Sequence, residues 1–314
     1  MPDKKIIRRA FYPLLLALGL LSAAQADELA PTQVAPDVYA FIGETQALDR
    51  DNRGNILNSG FIVGHDGVIV IDPGPSREHA ERMLSAIGKI TAKAIKLVID
   101  THPHPENVLG NDVFAKEGVP ILAHSETLRA MRERCGKCRE IMLKTLGAEA
   151  MAGTEIALPN LTVDQSSDMT VAGRSLRLLF YGWGHTEGDL AVLDRTSGAL
   201  FSGGLVSLDC IPVLSQARIR GWIFDLEQLR KEPFDILVPG NGPVSKPQRV
   251  QETLDYLQDL LLLVEKQYNA DMSVLDLLTQ SDLPKYRSWA LYAEQHPLNV
   301  QHVYSELEKE ELEK

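Results

Sequence analysis

The sequence predicts a mixed α+β fold, a four-layer αββα sandwich in which two β-sheets pack together and helices cover both outer faces. Short apolar segments come in pairs separated by turns, such as Leu57–Val63 and Val68–Ile71 around Gly64–Gly67. Amphipathic segments lie between these pairs at intervals, not after every strand. The second half of the chain has the same organisation, which favours two mixed sheets over one doubly wound parallel sheet.

In the first half of the chain, strands alternate with three predicted helices. Ser76 is expected to cap the first helix, which would run to about Ile87 and stop at Gly88. The next two helices are expected at 106–116 and 125–146, where Gly118 and Gly147 would end them. The predicted strands are 38–43, 57–63, 68–71, 95–99 and 119–123.

The second half is expected to form the second sheet and its covering helices. The helices are predicted at 222–231 and 250–267, the latter from apolar residues spaced three and four apart. The predicted strands are 169–171, 175–180, 190–193, 199–202 and 236–238. We divide the chain into an export signal at 1–26, a main domain at 27–270 and a helical extension at 271–314, packed on the domain and ending in a charged tail.

The segment from Leu97 to Asn107 carries the strongest functional signal. A buried strand ends at Asp100, and His102 and His104 follow, one residue apart. Alternate residues of an extended segment point the same way, so both imidazoles can converge on one metal ion. From these residues alone, a surface turn with two solvated histidines remains an equal alternative.

The N-terminus has the pattern of a cleavable export signal. Four basic residues precede an apolar run from Phe11 to Leu21, and Ala24-Gln25-Ala26 is a small-x-small cleavage site. The run is too short to cross a bilayer, for which about 20 residues are needed. We expect a periplasmic or secreted protein without stable membrane insertion after cleavage; a retained anchor is the alternative.

The charge of the chain bears on its partners. The formal net charge is −11 at pH 7. A strongly acidic protein lacks the electrostatic footprint that nucleic-acid binding requires. We therefore expect a small-molecule substrate and no nucleic-acid partner, and the oligomeric state stays open.

Two of the three cysteines, Cys135 and Cys138, form a C-x-x-C pair. In an exported protein this spacing favours a local disulfide. Free thiols and a redox role are the alternatives.

Four loops that follow buried strands carry polar residues, namely Asp72, then His102, His104 and Glu106, then His185 and Asp189, and finally Asn241. Their order resembles the metallo-β-lactamase superfamily, notably in the Asp72-Pro-Gly74 turn and the loop Gly184-His-Thr-Glu-Gly-Asp189. The resemblance implies an αββα fold with metal in the cleft between the sheets. A narrower resemblance, to the periplasmic quinoprotein relay system zinc metallohydrolases, rests on Cys135-x-x-Cys138, Ile211-Pro-Val213 and Arg220-Gly-Trp222.

The resemblance implies that His102, His104 and His185 hold the first metal ion. The positions that would hold a second ion carry other residues here, which are Glu106, Asn107, Gly204 and Asn241. Neutral amides are poor zinc ligands and glycine has no side chain. We therefore expect one zinc ion, with iron and manganese remaining open. Asp72, Asp189, Asn107 and Asn241 are expected to fix loops or histidine tautomers.

The function this implies is that of a hydrolase in which one metal ion activates water against an ester, lactone, amide or thioester. Glu106 is the expected catalytic residue: it would act as a general base on the metal-bound water, hydrogen-bond that water or bind the metal itself. The alternative is that Glu106 simply caps the helix that follows. The alternative is a catalytically inactive accessory or binding protein linked to periplasmic quinoprotein or sulfur oxidation. A thiol-handling protein using Cys135 and Cys138 is the third hypothesis.

Overall fold

Two β-sheets lie at the centre of the computed structural model, which describes residues 29–313. The export signal expected at 1–26 lies outside these residues. The first sheet has the order β1-β2-β3-β4-β5-β6-β7. Its strands are antiparallel from β1 to β4 and parallel from β4 to β7. The strands are Thr32–Ala35, Val38–Phe41, Ser59–Val63, Val68–Ile71, Ile95–Ile99, Ile121–His124 and Leu161–Val163.

The second sheet has the order β12-β11-β10-β9-β8. It is antiparallel except for the parallel pair β11 and β12. Its strands, β8 to β12, are Ser167–Val171, Arg174–Leu179, Ala191–Asp194, Ala199–Phe201 and Ile236–Val238. The predicted mixed α+β sandwich of two sheets is therefore confirmed.

Helices cover the outer faces of both sheets. Helices α1 to α8 are Arg77–Ile90, Pro105–Val108, Asn111–Lys116, Ser125–Leu146, Ile219–Leu229, Val250–Tyr268, Val274–Gln280 and Tyr292–Leu312. One apolar cluster lies between the sheets and includes Ile69, Ile99 and Val192. A second packs α1 and α3 on the first sheet. A third packs α5, α6 and α8 on the second sheet.

The predicted helix boundaries differ from the structure at two glycines. Helix α1 continues through Gly88 to Ile90, because Gly88 is exposed and the helix tolerates it there. The helix expected at 106–116 is two helices, α2 and α3, separated by Leu109 and Gly110. Gly110 lies so close to Pro73 that a Cβ would be 2.4 Å from the Pro73 carbonyl oxygen.

The C-terminal segment packs through α8 on α6, one of the helices that cover the second sheet. Val300 and Val303 of α8 are buried in the same cluster as Leu254 and Leu257 of α6. A division of the chain at residue 270 stays a prediction. Within residues 29–313, none of the helices combines the length and apolar character needed to cross a membrane.

Candidate metal centre

Three histidines from different parts of the chain converge between the sheets. His102 and His104 follow β5 of the first sheet, and His185 follows β9 of the second. One ring nitrogen of each lies within 4.8 Å of the others. The ring centroids are 4.7 to 4.9 Å apart, and each pair of rings meets edge to face. Among the described residues, this is the one His, Cys, Asp and Glu cluster with metal-binding geometry.

Hydrogen bonds from Thr101 hold the His102 ring. The Thr101 hydroxyl donates to Asp72 Oδ2 at 2.7 Å, and the same oxygen lies 2.9 Å from His102 Nδ1. Because the hydroxyl has one hydrogen and gives it to Asp72, its oxygen accepts from the Nδ1–H of His102. We assign this tautomer from the network. The lone pair of His102 then lies on Nε2, which is buried and has no hydrogen-bond partner.

The surroundings of His104 favour its neutral form. Burial lowers the pKa of His104 well below its usual value, and the nearby His185 and Arg134 add to this effect. A hydrogen bond with the Gln216 side chain acts in the opposite direction. Gln216 is itself held by Arg134, whose Nη1 donates to Oε1 at 3.0 Å. For His102, too, burial lowers the pKa, followed by the charges of His104 and His185.

The loop that follows β9 fixes His185. Asp189 accepts hydrogen bonds from the Thr186 backbone N–H at 2.5 Å and the Thr186 hydroxyl at 2.9 Å. Asp189 Oδ1 also lies 3.1 Å from His185 Nδ1, which leaves Nε2 free to face the cluster. The backbone N–H of Leu190 donates to the Thr101 carbonyl at 2.7 Å. This bond ties the His185 loop to the end of β5.

These donors fit a single transition-metal ion. A buried nitrogen lone pair without a partner is costly, and a cation would satisfy it. Three imidazole donors beside the cleft would leave such an ion able to take water or substrate as a further ligand, as in catalytic zinc sites. His102, His104 and His185 would therefore hold the ion.

Comparison with known proteins agrees with this geometry. Residues 53–242 match the model of the family described as "Metallo-beta-lactamase superfamily". The chain belongs to the metallo-β-lactamase superfamily. The narrower placement among the quinoprotein relay metallohydrolases stays a prediction.

Curated relatives in the superfamily are distant in sequence. The chain is 24% identical over 264 residues to a linear primary-alkylsulfatase from a Pseudomonas strain, covering 72% of this chain and 50% of that protein. It therefore spans half the length of that relative. It is also 24% identical over 212 residues to a metallo-beta-lactamase type 2 of Bacillus cereus, covering 66% of this chain and 73% of the relative. These homologues are hydrolases of small molecules.

Solved structures share the fold. A metallo-beta-lactamase from Pontibacter korlensis aligns with a TM-score of 0.61 at 21% identity, over 73% of this chain and 99% of that one. A double mutant of the sec-alkyl sulfatase PisA1 aligns with a TM-score of 0.71 at 17% identity, over 89% of this chain and 50% of that one.

The positions expected to bind a second ion in the superfamily have structural roles here. A Cβ on Gly204 would lie 2.1 Å from His185 Nδ1, so the His185 ring fills the space of a side chain at 204. Asn241 Nδ2 donates to the Ile56 carbonyl at 2.9 Å. The side-chain amide of Asn107 lies 3.0 Å from His102 Nδ1 and packs against the ring; because Nδ1 carries the proton in the assigned tautomer, the Asn107 NH₂ group does not donate to it. These contacts fix loops and rings around the three histidines.

Glu106 lines the cleft beside the cluster. Its Oε1 lies 3.7 Å from His104 Nδ1, and both side chains are mostly buried. Burial raises the pKa of Glu106 above its usual value. Of the replaced positions, Glu106 alone brings an ionisable group into this cleft.

Two buried carboxyl groups lie behind the histidines. Asp72 has a left-handed backbone, with φ of 54°, and accepts from the Thr101 backbone N–H at 2.8 Å. Burial raises its pKa to about 7, against the hydrogen bonds from Thr101 and Asn107. Asp100 accepts from Asn111 Nδ2 at 2.7 Å, and burial raises its pKa well above the usual value.

The cysteine pair differs from the predicted disulfide. Cys135 and Cys138 are both free thiols on successive turns of α4. Cys135 is packed with Val108 and Met131, so its sulfur faces a buried cluster, whereas Cys138 is only partly buried. Burial raises the pKa of Cys135 to about 12.

Sequence reasoning missed several residues that shape the centre. Thr101 and Gln216 were not singled out, and Trp222 was noted only as part of the Arg220-Gly-Trp222 motif. Trp222 lies with its ring centroid 5.0 Å from that of His185 and donates from Nε1 to the Leu205 carbonyl. Thr101 could have been noticed, because it stands between the strand end and the first histidine. Gln216 and Trp222 reach the centre only through the folding of distant segments.

Proposed function

We propose that this protein is an exported hydrolase that uses one metal ion, held by His102, His104 and His185, to activate water against an ester, lactone, amide or thioester. The observation that carries the proposal is the buried Nε2 of His102, which has no partner in a cluster of three imidazoles at the bottom of a cleft. The names of the relatives, an alkylsulfatase and a metallo-beta-lactamase, support hydrolysis as the reaction class.

A metal on three neutral imidazoles supplies Lewis acidity, which in such sites lowers the pKa of water to about 7. The protein residues provide the rest of the reaction. Asp72 orients the His102 ring through the Thr101 hydroxyl. Asp189 orients the His185 ring by direct contact. Glu106 lines the cleft, where its carboxylate can accept a proton from the attacking water and return it to the leaving group.

Zinc content and turnover test the proposal together. We expect the exported form, purified from the periplasm without added metal, to contain about one zinc ion per chain by elemental analysis. His102→Ala should lose the ion. His65→Ala removes an exposed histidine outside the cleft and serves as the matched control, because it should keep the ion.

Turnover is measured on a panel of 4-nitrophenyl esters, thioesters and lactones. Removal of the metal by a chelator should abolish hydrolysis, and added zinc should restore it. Hydrolysis that persists in metal-free His102→Ala would overturn the proposal. Cell fractionation tests the export that the N-terminal pattern predicts.

The second candidate is an accessory protein without turnover that serves periplasmic quinoprotein or sulfur oxidation. The Gly204 contact with His185 favours it, because it leaves no room for a bridging carboxylate. This candidate predicts little bound metal, no hydrolysis of any ester in the panel, and a ligand or partner recovered by pulldown.

A further inference from the structure

The cleft above the three histidines has a mostly apolar wall. Its cavity is about 70 Å³. The large apolar side chains that line it come from four separate segments and are Ile56, Leu57, Ile211, Val213, Trp222 and Leu291. Among the described residues that line it there is no lysine and no arginine, and the one acidic side chain is Glu106. Beyond the metal ion itself, the charged end of an anionic substrate would therefore meet the Glu106 carboxylate and no cationic side chain.

Two arginines outside the cavity, Arg134 and Arg249, are paired with other groups. Arg134, which lowers the pKa of His104, bonds to the buried Glu187 and to Gln216. None of these three residues, Arg134, Glu187 and Gln216, lines the cavity.

Arg249 bonds to Asp209 at 2.8 Å and to Glu252 at 2.7 and 2.8 Å. None of these three residues lines the cavity. Breaking such pairs to reach a substrate anion would leave carboxylates without their partners, Glu187 being the costliest because it is buried.

Leu291 closes the apolar wall from the C-terminal segment. It has a left-handed backbone, with φ of 61°, which costs a residue with a Cβ about 1 kcal/mol or more. Backbone bonds hold it beside the cleft, since Ala290 donates to Asp209 at 2.8 Å and Ile211 donates to Ala290 at 3.0 Å. A strained residue whose side chain lines a catalytic cleft is a candidate for substrate selection.

We propose that the cleft takes uncharged substrates with an apolar acyl group, and that Leu291 limits the length of that group. The inference rests on the proposed hydrolase function and narrows its substrate class. It separates this protein from the alkylsulfatase relative, because alkyl sulfates carry a negative charge. Apolar contact supplies the binding free energy in this cleft, and charge pairing does not.

A matched pair of esters tests the charge preference. The zinc-loaded protein is assayed on 4-nitrophenyl hexanoate and on the 4-nitrophenyl monoester of adipic acid, which has a six-carbon acyl chain ending in a carboxylate. We expect kcat/KM to favour the hexanoate at least tenfold, and to rise about fourfold per methylene from acetate to butyrate. Equal or better use of the adipate ester would overturn the inference.

Variants test the two features separately. Leu291→Ala should shift the acyl-chain length that gives the highest kcat/KM toward octanoate. Leu298→Ala, at a 55% exposed position in α8, which begins directly after Leu291, should leave that length unchanged. Val213 is 39% exposed at the cleft, so Val213→Arg can bring a cation there. It should improve use of the adipate ester relative to hexanoate by about fivefold, the size expected of one partly exposed charge pair. An unchanged chain-length profile in Leu291→Ala would count against the role of Leu291.

Binding measurements make the inference independent of turnover. Isothermal calorimetry compares hexanamide with the monoamide of adipic acid on the zinc-loaded protein. Hexanamide alone should bind, and Leu291→Ala should weaken it. This result without any ester hydrolysis would overturn the hydrolase proposal and uphold the substrate class. Binding of the acid as tightly as hexanamide, or of neither ligand, would overturn the substrate class.

Discussion

The hydroxyl oxygen of Thr101 lies 2.9 Å from Nδ1 of His102 and gives its hydrogen to Asp72. The pair sets which nitrogen of His102 carries the proton. Partners of this kind typically change metal affinity 10- to 100-fold when removed. Thr101→Val keeps the shape and removes the hydroxyl, so we expect zinc Kd to rise by about that factor. Thr101→Ser keeps the hydroxyl and should retain the affinity. A competition titration with a chromophoric chelator measures both variants, and equal Kd values would contradict the assignment.

Restoring side chains at position 204 should weaken the metal centre. A Cβ there would lie 2.1 Å from His185 Nδ1, so the ring must move away from Asp189. We expect Gly204→Ala and Gly204→Asp to raise zinc Kd by about tenfold or more. Neither variant should bind a second ion by elemental analysis. Gly136→Ala, in α4 with open space around it, is the matched control and should bind zinc normally. Two tightly bound ions in Gly204→Asp would refute this prediction.

Glu106 should affect turnover without affecting metal content. A general base contributes about 10²- to 10⁴-fold to rate. We expect Glu106→Gln to lower kcat within this range, with zinc still near one ion per chain. Glu106→Asp keeps the carboxylate and should recover part of the loss. If Glu106 only caps α2, both variants will keep kcat and differ from the parent in thermal stability.

Acid should destabilise the fold through buried His79, which lies in α1 away from the three histidines. Burial, and to a smaller extent Arg82, lower its pKa from 6.5 to about 4. Between these values the unfolded chain binds more protons than the folded one, so the free energy of unfolding falls as pH falls from 6.5 to 4. The contribution of His79 is about 3 kcal/mol.

Urea denaturation of the metal-free protein at several pH values measures this effect. His79→Gln should show a shallower loss of stability between pH 6.5 and 4 than the parent. His65→Gln, at an exposed position, is the control for loss of a histidine. Parallel pH profiles for His79→Gln and the parent would exclude His79 as the cause.

Local patterns explain why much of the fold could be predicted. The segment Ile95–Ile99 is rich in β-branched residues and is followed by the polar Asp100. The strand, and the position of His102 and His104 after its end, could therefore be predicted. Helix α4 was predicted from Ser125 to Leu146 because Gly147 follows it in the sequence. In the structure Gly147 does end the helix, with φ of 90°. The short strands β1 and β7 were missed, because three or four residues carry too little periodicity.

The features that could not be predicted depend on residues far apart in the chain. The contact of Gly204 with His185 and the position of Leu291 beside Ile211 exist only once both sheets have packed. The expected disulfide rested on the spacing of Cys135 and Cys138. Sequence does not show that one of these thiols faces a packed cluster.

The origin of the three imidazoles has a consequence for assembly of the protein. Two of them follow a strand of the first sheet, and the third follows a strand of the second. The backbone hydrogen bond from Leu190 to Thr101 joins the two loops. A cation bound by all three would cross-link the two sheets of the sandwich. Metal binding would then require that the two sheets have already packed together. A lack of the metal ion would leave more of the chain unfolded and open to proteolysis.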